Sequence, residues 1–86
     1  MTSYEARTFR STIGRRLREH RLRAGLTQEE VAWQIGVSQG SVSHYEKGRI
    51  EIPLGVLLAA CRILDVAPAE IVPGLEHGGQ MEMKAS

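Results

Sequence analysis

The 86 residues include one cysteine and three prolines, and only 5% of them are aromatic. Cys61 alone cannot close an intrachain disulfide, so any fold must rest on non-covalent packing. It sits in the apolar stretch 56–64, where it reads as a small buried hydrophobe rather than a nucleophile. The histidines, His20, His44 and His77, are scattered and lack zinc-ligand spacing. The sequence offers no Ser-His-acid set with plausible spacing, no paired carboxylates in an apolar setting and no phosphate-cradling glycine loop. Enzyme chemistry is therefore not expected, nor is a cofactor or a metal. No apolar run approaches the roughly 18 residues that a membrane helix needs. Residues 1–10 carry no apolar segment of the secretory type, so a cytoplasmic protein is the expectation.

What is present fits one small globular domain, with 42% hydrophobic and 24% charged residues. The net charge of +1 is unevenly spread. Residues 1–25 carry seven Arg against two Glu, or +5; residues 26–50 carry two basic and three acidic groups, or −1; residues 51–86 carry two and five, or −3. A basic first segment on a nearly neutral chain gives one face that attracts a polyanion.

Residues 1–8 read as a polar lead-in. From Phe9 the positions Phe9, Ile13, Leu17 and Ala24, with Arg21 filling the step between the last two, recur at helical spacing, and Gly25 ends the pattern. Arg15, Arg16, Arg18 and Arg23 lie off that stripe and read as a solvated face adding long-range attraction. Thr27-Gln28-Glu29-Glu30 is a capping box that opens a second helix with Val31, Ala32 and Ile35 inward. Gly36 stops it. Ser38 caps a third helix that runs to Lys47 with Val42 and Tyr45 inward, and Gly48 stops that one. Pro53 stands at the start of a fourth helix whose stripe is Val56, Leu57, Ala60, Cys61 and Leu64, broken by Asp65 and Val66. Pro68 opens a short fifth helix over 69–72. Residues 75–86 have no periodicity and are expected to be mobile. The expected division is thus lead-in 1–8, helical domain 9–74 and tail 75–86, in an all-α fold.

The second and third helices are joined by a three-residue turn. Ala32 is small where they would cross, and Gly36 supplies the turn conformation. The outer face of the third helix stays polar with Gln39, Gly40, Ser43, His44 and Lys47. Such a helix can enter a DNA major groove.

The stretch from Gly25 to Gly48, GLTQEEVAWQIGVSQGSVSHYEKG, resembles the Cro and phage-repressor-like (XRE) helix-turn-helix family, and the likeness extends from Ile13 to about Ile71. The resemblance implies a compact, five-helix, lambda-repressor-like domain that binds double-stranded DNA. It implies base reading by Gln39, Gly40, Ser43 and His44, and phosphate contact by Gln28, Ser38, Ser41, Lys47 and Arg49. It pairs Arg21 with Glu46 in a structural salt bridge. A sequence-specific regulator acting as a homodimer through residues 67–75, on a near-palindromic operator, is the leading functional expectation. The alternative is an antitoxin or interaction module that grips a protein through the tail or Trp33.

Two residues depart from the family pattern. Gly40 removes a side chain from the reading face and weakens its helix. Trp33 falls on the outer side of the second helix, where packing against the region around Phe9 is expected. His77, Met81 and Met83 read as plain tail residues, with Met81-Glu82-Met83 as a possible arm to a partner subunit.

Overall fold

In the computed structural model, which describes residues 1–75, the chain folds into α1 (Ser3–Arg23), α2 (Gln28–Ile35), α3 (Gln39–Glu46), α4 (Leu54–Leu64) and α5 (Pro68–Ile71). Among the described residues there is no strand.

The polar lead-in is itself helical, because α1 starts at Ser3, well before Phe9. The cause is local. Thr2 accepts from the Glu5 backbone N–H at 3.1 Å and donates its own N–H to the Glu5 carboxylate at 3.0 Å. The same reciprocal cap opens α2, where the Glu30 N–H meets Thr27 Oγ1 at 3.0 Å and the Thr27 N–H meets Glu30 at 2.8 Å. The backbone and hydroxyl hydrogen bonds of Thr2 and Thr27 hold both carboxyls below the ordinary value of 4.5. Their contribution to stability is therefore present above that pH and is lost as pH falls through the depressed values. Ser38 caps α3 through the Ser41 N–H at 3.0 Å. Pro53 is the residue preceding α4 rather than part of it, and Asp65 ends α4 in the left-handed region at φ 57, a conformation Asp tolerates. Glu70 accepts from the Ala67 N–H at 2.8 Å, a cap that Ala67 has no side chain to return.

The main core gathers Ile13 and Leu17 of α1, Leu57, Ala60, Cys61 and Leu64 of α4, and Ile71, which is fully buried; Phe9, Ile35, Ile52 and Val72 pack around it. Burial, with Glu70 as a second cause, pushes the Cys61 thiol above its usual range, so it is a packed apolar group here. Val31 and Ala32 of α2 and Val42 and Tyr45 of α3 are also buried. Gly36 turns between these two helices at φ 88. Ala24, placed on the inner stripe by its spacing, is instead the exposed C-cap of α1.

Trp33 does not meet Phe9. It is 85% exposed. Phe9 belongs to the core side of α1, whereas α2 spends Val31, Ala32 and Ile35 on its inward face, which leaves Trp33 outside.

Two close approaches set how α1 and α3 sit. A Cβ on Gly14 would lie 2.3 Å from the Tyr45 carbonyl oxygen and 2.5 Å from that of Glu46. A Cβ on Gly48, whose φ is +69, would lie 2.8 Å from Cα of Ser11. Gly40, by contrast, has open space, with Ser38 Oγ at 3.9 Å the nearest group. Alanine should therefore act in opposite directions at two helical glycines. Gly14→Ala should destabilise by about 2 kcal/mol, as strain against two backbone carbonyls outweighs the gain in helix propensity. Gly40→Ala should stabilise by about 0.5–1 kcal/mol. Urea denaturation of both variants checks this, and a neutral Gly14→Ala would show that α1 and α3 have room to part.

Candidate nucleic-acid interface

At the centre of the helix-turn-helix lies a buried ion pair. Arg21 Nε donates to Glu46 Oε2 at 2.6 Å, and its Nη2 donates to Glu46 Oε1 at 3.0 Å. The third arm of the guanidinium, Nη1, donates to the Leu26 carbonyl at 2.8 Å. Only 8% and 4% of the two side chains is exposed. The hydrogen bonds from Arg21 to Glu46 raise the Arg21 pKa above its ordinary value, against the opposing effect of burial; the Glu46 charge adds to the rise. This fork ties the last turn of α1, the loop before α2 and the end of α3 to one point.

The network continues outward. Gln28 Nε2 donates to Glu46 Oε1 at 3.0 Å, and Gln39 Nε2 donates to Gln28 Oε1 at 2.7 Å. Glu46 can only accept, so it fixes which way the Gln28 amide points. Gln28 in turn presents its oxygen to Gln39. The result is a line of hydrogen bonds from a buried charge to the exposed first residue of α3. Gln39 keeps one N–H and its oxygen free to face outward.

The structure brings Gln28 and Gln39 together through that bond, and it joins Ser38 and Ser41, whose hydroxyls lie 2.9 Å apart. Gly40 and His44 are exposed and Ser43 is half-buried on α3. Lys47 is the C-cap of α3, and Arg49 follows the Gly48 turn with its N–H on the His44 carbonyl at 3.0 Å. Lys47 and Arg49 are both exposed. The residues form a band running from the N-terminus of α2, across the first turn of α3, to the turn that leaves α3.

Two features are not visible in the sequence. The Gln28 side chain bonds Glu46 through its nitrogen and Gln39 through its oxygen, which leaves it one N–H beside the open backbone N–H groups of Gln28 and Glu29 at the start of α2. Gly14 seats α1 on the carbonyls of Tyr45 and Glu46, which allows Arg21, two turns on, to reach the Glu46 side chain. A glycine inside an otherwise regular helical stripe is the available signal. Among the described residues there is no cluster of His, Cys, Asp or Glu able to hold a metal ion, and no helix is long and apolar enough to cross a membrane.

Removing one side of the ion pair strands the other. Glu46→Ala should cost about 3–5 kcal/mol of stability by leaving the Arg21 charge buried and unpaired. Arg21→Lys should remain well below wild type, because an ammonium group cannot serve both carboxylate oxygens and the Leu26 carbonyl with the geometry of a planar fork. Urea titrations would measure both, and a Glu46→Ala variant within about 1 kcal/mol of wild type would contradict this assignment of about 3–5 kcal/mol.

Comparison with known proteins places this geometry. Residues 12–72 match the family model described as a helix-turn-helix domain. The chain is 39% identical over 61 residues to an uncharacterized transcriptional regulator in the ATPase CF(0) region of Rhodospirillum rubrum, a match covering 71% of this chain and 51% of that protein. It is 52% identical over 33 residues to an uncharacterized HTH-type transcriptional regulator of Methanothermobacter thermautotrophicus, covering 38% and 48% of the two chains. The matches thus span about half the length of these curated relatives. Among solved structures, the restriction-modification controller protein C.AhdI from Aeromonas hydrophila superposes with a TM-score of 0.67 at 34% identity, covering 71% of this chain and 92% of the other. The clp gene regulator ClgR from Corynebacterium glutamicum does so with a TM-score of 0.72 at 32% identity, covering 90% and 80%. Fold, motif and relatives agree: the chain belongs to the Cro and phage-repressor-like (XRE) helix-turn-helix family of DNA-binding transcriptional regulators.

Proposed function

We propose that this protein is a sequence-specific regulator that reads a near-palindromic operator as a homodimer and represses by occlusion. The observation that carries the reading is the hydrogen-bonded line from Arg21 and Glu46 through Gln28 to Gln39. The free N–H and oxygen of Gln39 match the N7 acceptor and N6 donor of an adenine edge. Ser43 and His44, one turn further along α3, reach neighbouring bases, and Gly40 lets the backbone come close to the groove. Phosphates are held by the N–H groups that open α2 at Gln28, by Ser38 and Ser41, and by Lys47 and Arg49 past the end of α3. Two copies would set their α3 helices in successive major grooves about 34 Å apart.

The dimer contact was expected at residues 67–75. Ile71 is wholly spent on the core, so it is not available to an interface. The large exposed apolar residues of this region are Leu75 at the end of the expected segment and Leu54 and Leu58 on α4, which is packed against α5. We place the contact on the flanks of α5 together with that α4 stripe. The tail reading, a partner held by residues 75–86 and the arm at Met81-Glu82-Met83, lies outside the described residues beyond Leu75. Exposed Trp33 favours a second reading, in which the same domain also docks a protein.

The test is selection of bound sequences from a pool of random duplexes, with Gln39→Ala carried in parallel. A dyad-symmetric motif is expected from wild type, with one base pair in each half-site relaxed in Gln39→Ala. The loss of preference there should be about 1–3 kcal/mol. An unenriched pool, or a motif indifferent to Gln39, would overturn the operator reading and leave the protein-docking one.

A further inference from the structure

Arg7, Ser11, Arg15 and Arg18 recur at spacings of four, four and three along α1, which puts them on one face of that helix. All three arginines are exposed. The core side of α1 is supplied by Phe9, Ile13 and Leu17, so nothing in the packing requires this arginine face. Its position is fixed by Gly48. That residue leaves α3 so close to Ser11 that a Cβ would lie 2.8 Å from Ser11 Cα and Oγ. The arginine face therefore borders the same turn that carries Lys47 and Arg49.

We infer that the Arg7–Arg18 face of α1 is a second phosphate-binding strip, gripping the DNA backbone beside the C-terminal end of α3. This rests on the DNA reading proposed above. At about 1.5 Å per residue, Arg7 and Arg15 stand one turn to either side of Ser11, and the whole strip spans about 16 Å. A duplex carries one phosphate charge per about 1.7 Å of axis, so a strip of that length crosses several. The charge is complementary and continuous with Lys47 and Arg49. The acid beside the strip is Glu19, which meets Arg15 at 3.4 Å with both side chains largely in solvent. Such a pair is weak and yields readily to a polyanion. Residues 3–11, the first part of α1, precede the region that matches the helix-turn-helix family, which begins at residue 12. The strip straddles that boundary, with Arg7 and Ser11 before it and Arg15 and Arg18 within the matched region.

The strip should contribute affinity without sequence preference, and this separates it from Gln39. The experiment measures binding of the full chain to its selected duplex by fluorescence anisotropy across a salt series. It compares wild type, Arg7→Gln/Arg18→Gln, and a charge-matched control, Arg16→Gln/Arg62→Gln, in which one arginine lies elsewhere on α1 and the other on α4. In the strip variant the log–log salt slope should fall in magnitude by about 2, near 0.9 for each phosphate that is no longer neutralised. The selected motif should stay the same, and the control, whose arginines act only at long range, should lose well under half as much slope. A strip variant with the wild-type slope, or a control that falls as far, would overturn the strip and leave operator reading intact. A wild-type chain that binds no duplex would overturn both.

Discussion

Arg21 and Glu46 are removed from water together, and each ion gives up several kcal/mol of hydration to be there. The cost is offset because every strong group is matched. Glu46 accepts from two nitrogens of Arg21 and from Gln28, while the remaining arm of Arg21 holds the Leu26 carbonyl. Such a pair adds little to net stability compared with apolar side chains of the same volume, but it tolerates few alternative arrangements. Here it decides how three segments meet: the end of α1, the approach to α2 and the end of α3. Gly14 makes that meeting possible by letting α1 rest on the carbonyls of Tyr45 and Glu46.

From this fixed point a gradient runs outward. The ion pair is buried, Gln28 is half-buried and Gln39 is exposed. Each bond along the line orients the next donor or acceptor, and the low dielectric at the buried end strengthens it there. In the proposed reading, Gln39 is a long, flexible side chain that would otherwise lose rotamer freedom on meeting a base. Holding it in the free protein moves part of that entropy loss from binding to folding. The same geometry explains why Gln28, though it stands at a helix N-terminus, acts through its side chain as a brace for Gln39.

The helix boundaries are legible in the sequence because they are written in local chemistry. Thr27 with Glu30, Ser38 at the start of α3, Gly36 and Gly48 in turns, and Pro53 before α4 each act within a few residues of themselves. The first two turns of α1 escape a reading by hydrophobic spacing although Thr2 and Glu5 form the same box, because the apolar stripe begins only at Phe9. The band of polar side chains on α3 is legible from its outward spacing. The resemblance to a family supplies the pairing of Arg21 with Glu46. The bonds from Glu46 to Gln28 and from Gln28 to Gln39 join residues 18 and 11 positions apart, and no periodicity encodes contacts of that kind. Trp33 departs from expectation for a related reason. A large aromatic side chain is buried on average, while the face of α2 it occupies is decided by where Val31, Ala32 and Ile35 must go.

The central claim is that Gln28 and Gln39 read DNA as one unit held by Glu46. A double-mutant cycle on the selected duplex tests it most directly, with Gln28→Ala, Gln39→Ala and the double variant each measured against the preferred base pair and its three alternatives. The expected result is strong coupling: Gln28→Ala relaxes preference at the same base pair as Gln39→Ala, and the double variant loses little more than either alone. Additive losses, with Gln28→Ala weakening all four base pairs equally, would contradict the claim and reduce Gln28 to an independent phosphate contact.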